Sequence, residues 1–206
     1  MTRTRTIPET LLAWHAYPGA ICMGIDGARG GWVGAAYCEG TVTLTFHSSL
    51  SAFSIPVTSR VLVDMPIGLP SNGKRACDHL ARRLLGPRKS TIFSVPSRSA
   101  VYSASYAECC QANSLDQGCR VSKQAWNITP KIRELDIYMR ADLTRHTHIA
   151  EAHPELAFKA LSPHAWPLSP KRTTEGLATR KTILSEVFGI QIDGIVEEFL
   201  TRHKKQ

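Results

Sequence analysis

Asp26 and Asp64 each end an apolar run, and each is followed by residues that break a strand. The first run, "AICMGID" (20–26), leads into "GARGG". The second, "RVLVD" (60–64), leads into "MPIGLP". Short apolar runs bounded by Gly and Pro read as buried strands. If the two strands are neighbours, their terminal acids meet across a strand spacing of roughly 4.8 Å. Carboxylates that close raise each other's pKa. A hard dication relieves the repulsion, and Mg²⁺ takes one or two carboxylates together with substrate phosphate oxygens. Two such ions about 3.5–4 Å apart clamp both oxygens of an in-line phosphoryl displacement. Gly27, Gly30 and Gly31 carry no Cβ, so the expectation is that they let a phosphate backbone approach the acids. The competing reading of a strand-end Asp before Gly is a plain turn residue.

A metal-dependent phosphodiesterase needs a further acid and a proton carrier. "EAHPE" (151–155) offers both. Glu151 and His153 lie two residues apart, on one face of a short strand. Glu155 follows Pro154 in a helical first turn, where a carboxylate also complements the dipole with no other role. The expected metal ligands are Asp26, Asp64 and Glu151, holding Mg²⁺ or Mn²⁺. His153 and Glu155 are further catalytic candidates, although His153 has a strand-end structural reading as well. Lys131 and Glu134, at i and i+3, also read as an ordinary helix salt bridge.

The chain has 206 residues, 43% hydrophobic and 20% charged, with a net charge of +8. Between Ser71 and Arg98 stand seven cations (Lys74, Arg75, Arg82, Arg83, Arg88, Lys89, Arg98) against Asp78. This stretch is either a solvated basic face or a surface for phosphate-rich partners such as nucleic acid. No apolar run reaches 18 residues, so no membrane span is expected. The six cysteines include no C-x-x-C pair, which suits free thiols in a reducing, cytoplasmic setting and argues against structural zinc.

These residues need a scaffold. "GWVGAAYCE" follows the first run after a glycine turn, and "TVTLTFHSS" alternates Val42, Leu44 and Phe46 with polar residues. That gives three antiparallel strands. A short crossover, one helix interrupted by Pro56, leads to the strand ending at Asp64. A helix over 74–85 then places Cys77, Leu80, Ala81, Leu84 and Leu85 on one apolar face, opposite Arg75, Asp78, His79 and Arg82. Residues 103–117 form another helix. Thr129 is the expected N-cap, and Pro130 the first residue, of a helix with the stripe Ile132, Leu135, Met139, Leu143. A fifth strand ends near His153, a helix opens at Pro154, and two terminal helices follow. Residues 1–20 read as an N-terminal extension. Residues 21–206 read as one α/β domain with a helical insert over about 71–145.

"GIDGARGGW", "VDMPIGLP", "RACDHLARRLLG", "SKQAWNITPKIRELD", "EAHPELAF" and "KRTTEGLATRKTIL" occur in this order. Together they resemble domain-of-unknown-function family 429, described as predicted ribonuclease H-like nucleases, over about residues 22–187. The resemblance implies an RNase H-like mixed sheet, with three antiparallel strands followed by parallel ones, and a metal-dependent nuclease. By motif it carries over Asp26, Arg29, Asp64, Arg75, Lys131, Glu151, His153, Glu155, Lys171 and Arg180. Arg29, Arg75, Arg82, Arg83, Lys131 and Arg180 are the expected substrate-binding cations. The family usually has cysteine where Ala28 stands. It also usually continues to an acidic last helix, for which Glu197, Glu198, Glu151 or Glu155 would substitute here. The expected activity is phosphodiester hydrolysis of nucleic acid. The alternatives are a phosphotransferase of the actin or sugar-kinase type, with "DGARGG" cradling phosphates, and a non-catalytic nucleic-acid-binding module.

Overall fold

A computed structural model describes residues 21–162 and 165–203. The extension 1–20 lies outside the described residues. The strands are β1 (Cys22–Ala28), β2 (Gly31–Cys38), β3 (Thr41–His47), β4 (Arg60–Val63) and β5 (Ile149–Glu151). They form one sheet in the order β3-β2-β1-β4-β5. β1, β2 and β3 pair antiparallel, while β4 runs parallel to β1 and β5 parallel to β4. The protein is thus α/β with a mixed five-stranded sheet. The sequence between β4 and β5 is helical: α1 (Ala76–Leu85), α2 (Arg98–Val101), α3 (Tyr106–Gln117) and α4 (Lys123–Ala141). After β5 come α5 (Pro154–Leu161), α6 (Thr174–Phe188) and α7 (Ile192–His203). No helix among the described residues is long and apolar enough to cross a membrane.

The core lies on one face of the sheet. Ile25, Val61, Val63 and Ile149 point toward the α4 stripe of Ile132, Leu135 and Met139, and all are buried. Alternation along a strand sends Cys22, Gly24 and Asp26 to the other face.

Four local expectations are corrected. The crossover holds only a 3₁₀ turn, Leu50–Ala52, rather than a helix through Pro56. α4 starts at Lys123, capped by Ser122, whose side chain accepts the Ala125 N–H, so Pro130 lies inside the helix. Proline cannot donate to the carbonyl four residues back. Here the Thr129 hydroxyl donates to that Trp126 carbonyl instead, at 2.8 Å. In α1 the expected apolar face is split, with Leu80 54% and Leu84 48% exposed but Leu85 buried, and Asp78 from the expected polar face is buried too. Asp78 turns inward because its partner Arg75 is charged, as the cleft below shows. The glycines after β1 serve packing and turning rather than ligand approach. A Cβ on Gly31 would strike the His47 carbonyl, one on Gly27 would press on Met65 and Lys131, and Gly30 has a φ of +77°.

A carboxylate pair beside a basic-edged cleft

β1 carries Asp26, and β4 ends one residue before Asp64, whose N–H donates to the Ile25 carbonyl at 2.9 Å. The parallel ladder therefore extends to bring the two acids together at the C-terminal ends of adjacent strands. Burial raises the Asp64 pKa to about 6, with repulsion from Asp26 next, then the opposing pull of Lys171, then repulsion from Glu151. The Asp26 pKa is also raised, by burial first, while a hydrogen bond from the Gly27 backbone and the Lys171 charge lower it. Asp26 is open to solvent on one side, so its desolvation is partial.

Glu151 is the third acid that Asp64 senses, yet its own oxygens are engaged. Arg75 clamps it with Nη1 to Oε2 at 2.7 Å and Nη2 to Oε1 at 2.8 Å, and the Ile67 N–H donates at 2.9 Å. Arg75 also donates Nε to Asp78 at 3.3 Å and Nη1 to the Ile67 carbonyl at 3.2 Å. This network fixes the loop after Asp64. It also explains why α1 turns Asp78 inward. Among the described residues no group of three His, Cys, Asp or Glu side chains has a metal-binding arrangement.

Glu155 and Arg180 form a buried pair at 2.7 Å, with Arg88 3.5 Å from the other Glu155 oxygen. Arg180 further donates to the carbonyls of Ser169 (2.8 Å) and Gly176 (2.9 Å). Both residues, expected in catalysis and substrate binding, here tie α6 and its preceding loop to α5. His153 lines the cleft. Its Nε2 lies 3.4 Å from the Thr91 carbonyl, and its Nδ1 is buried with no hydrogen-bond partner. Burial lowers its pKa, ahead of smaller raising effects from Thr91 and Glu155, so the ring is neutral near pH 7. With the proton assigned to Nε2 by the Thr91 contact, Nδ1 presents a lone pair.

The cleft has a volume of about 480 Å³ and is walled by Asp64, Arg75, Phe93, Glu151 and His153, among others. The 74–98 segment borders it, but most of its cations face inward. Arg82 donates to the Ile92 carbonyl at 3.0 Å and the Ser94 hydroxyl at 3.2 Å, and Arg98 pairs with Asp136. Lys74, Arg83 and Lys89 are exposed, as is Arg29 in the turn between β1 and β2. Lys131 lies 3.8 Å from Glu134, the helix pair anticipated by spacing, and 4.7 Å from the Trp32 ring centre. Glu134 is tied to structure, accepting from Trp32 Nε1 at 2.9 Å and from the Leu50 N–H at 2.6 Å. Glu197 and Glu198 are exposed on α7, which packs against β3 at the far edge of the sheet. Lys171, in the turn before α6, had no assigned role in the sequence beyond its motif. Its charge reaches Asp26, Asp64 and His153 together.

A mixed sheet that presents two carboxylates at the ends of adjacent parallel strands defines an α/β protein with a candidate cation site. The chain belongs to the family described as Protein of unknown function (DUF429), whose model matches residues 24–206. No curated protein and no solved structure matches it.

Proposed function

We propose that this protein is a divalent-metal-dependent phosphodiesterase acting on nucleic acid, built on an RNase H-like sheet. One observation carries the reading: Asp26 and Asp64 repel each other at the ends of adjacent parallel strands, and Asp64 is raised to about 6. An all-oxygen donor set with excess negative charge suits a hard cation such as Mg²⁺ or Mn²⁺. Bound there, the ion would neutralise the pair and acidify a coordinated water. Asp26 and Asp64 would hold the ion. Glu151, clamped by Arg75, shapes the loop and adds negative potential. His153 lines the cleft, and its neutral state fits a base rather than an acid at pH 7. Lys171 draws a phosphate oxygen toward the acids, and Lys74, Arg83 and Lys89 hold the flanking backbone.

The lack of a third free acid among the described residues favours, as a second reading, a non-catalytic nucleic-acid-binding module. The kinase-type alternative draws no support, since Gly27 and Gly31 are filled by packing. Thermal melts of wild type and Asp26→Asn with and without Mg²⁺ or Mn²⁺, run beside cleavage assays on single- and double-stranded RNA and DNA, test the proposal. The expected result is a metal-dependent rise in the wild-type midpoint that the variant lacks, with metal-free stability unchanged or slightly higher. Cleavage is expected to vanish in the variant. A wild-type midpoint that no metal moves, with nucleic-acid binding intact, gives the binding-module reading the lead. A badly destabilised Asp26→Asn makes Asp26 a turn residue.

A further inference from the structure

The sheet face away from the core holds a second cavity, of about 410 Å³, between the strands and helices α6 and α7. Its floor is a row across four strands. Leu44, Ala35, Gly24 and Leu62 are in register, from β3 through β2 and β1 to β4. The two central residues are the smallest available, so the row forms a trough between two leucines. A Cβ placed on Gly24 would meet nothing within 4 Å. The roof is Leu184 and Phe188 from α6 with Ile195 and Val196 from α7. The seam is not closed: Leu62 is 40%, Phe188 38% and Val196 37% exposed. Arg60 alone among the lining residues carries a charge, at the start of β4. Its described hydrogen bond is a long one, 3.5 Å from Nη1 to the Ser59 carbonyl.

An apolar trough of this size is in the range of small-molecule sites, and its apolar lining favours an apolar guest. A single cation at one end selects an elongated apolar ligand with one anionic head. A guanidinium takes a carboxylate through two parallel hydrogen bonds. We infer that this cavity binds a single-chain fatty acid, with the carboxylate on Arg60 and the chain lying over Gly24 and Ala35 beneath α6. The inference stands apart from the proposed hydrolysis, because Arg60 lies at the opposite end of β4 from Asp64 and the readout is binding alone.

The test titrates the full chain with cis-parinarate, a fluorescent polyene carboxylate, below its micelle concentration. Dodecanoate and dodecanol then compete as matched chains with different heads. The expected result is saturable one-to-one binding, with dodecanoate displacing the probe about tenfold better than dodecanol. Arg60→Ala, an exposed position, should bring dodecanoate down to the level of dodecanol. Gly24→Leu fills the trough from a position with open space above it and should abolish binding while the melting midpoint is kept. Leu184→Trp fills it independently from the roof. Binding that is absent, that fails to saturate, that treats the two heads alike, or that survives both filling variants overturns the inference.

Discussion

The two faces of the sheet are built on different principles. On one, the nineteen-residue helix α4 lays a continuous stripe on Ile25, Val61, Val63 and Ile149, and Ile132 and Leu135 are fully buried. On the other, β1 and the ends of β4 present short or polar residues, Cys22, Gly24, Asp26, Arg60 and Asp64, beside the apolar Leu62 and Leu44. The small Gly24 and Ala35 leave a trough under α6 and α7, and Leu62, Phe188 and Val196 around it stay partly exposed. The first face supplies the stability. The second gives that up and gains a carboxylate pair and an apolar trough. α6 is therefore held by other means, namely the buried Arg180–Glu155 pair and a loop that fits Gly176 so closely that a Cβ would collide with the Ser169 and Pro170 carbonyls.

The largest effect should come from breaking that substitute anchor. Arg180→Met leaves the Glu155 carboxylate buried with only Arg88 nearby, and an uncompensated buried charge costs about 3–5 kcal/mol. Urea unfolding reads the loss. Hydrogen exchange on the variant should show protection falling first in α6 and the 169–173 loop, while β1 and α4 keep theirs. Uniform loss over the whole molecule would mean that the second face is no weaker than the first.

The next contrast deletes equal volumes from the two faces. Leu135→Ala, in the close-packed core, should cost about 2–5 kcal/mol through lost burial and the cavity left behind. Leu184→Ala borders space that is already open and should cost about 1 kcal/mol. Equal costs in denaturant unfolding would break the comparison.

What the sequence made legible follows the same division. The alternation of Val42, Leu44 and Phe46 and the two apolar runs ending on Asp gave the mixed sheet, because strand periodicity is local. The α4 stripe was legible for the same reason over Ile132, Leu135 and Met139, although the helix start was not and Leu143 falls beyond its end, exposed. The Thr129 hydroxyl serves the carbonyl that Pro130 leaves without a donor, and no propensity rule carries that compensation. The inward turn of α1 was hidden because its cause is the Arg75–Glu151 clamp, a pair separated by 76 residues. At the site, the nearness of Asp26 and Asp64 followed from adjacent strands, and the charge of Glu151 also reaches Asp64. Its occupation by Arg75, the burial of Glu155 with Arg180 and the reach of Lys171 depend on tertiary packing. A side chain's partner, unlike its strand, leaves no period in the sequence.

The smallest predicted effect concerns Asp64 alone, and it has a sign that a structural turn residue would not give. Its pKa is raised from 3.8 to about 6 in the folded state. The native protein thus binds the proton more tightly than the unfolded chain does. Its stabilising contribution is complete below about pH 3.8 and is lost as the pH rises through about 6. At about pH 7.5 the ionised carboxylate weakens the fold, so Asp64→Asn should be the more stable protein there. Two pKa units correspond to about 3 kcal/mol, but the group is only half-buried and solvent screening reduces this to about 1 kcal/mol. The advantage of the variant should shrink as the pH is lowered and close near pH 4. Because burial is the leading cause and Asp26 the second, Asp26→Asn should reproduce only part of the gain. Mg²⁺, if the pair holds it, should reverse the order at about pH 7.5 by stabilising wild type and leaving Asp64→Asn unmoved. Urea unfolding of the three proteins at both pH values, with and without Mg²⁺, reads every arm. A variant that is less stable than wild type at about pH 7.5 without metal would make Asp64 part of the scaffold, and the division of labour between the two faces would fail at its central residue.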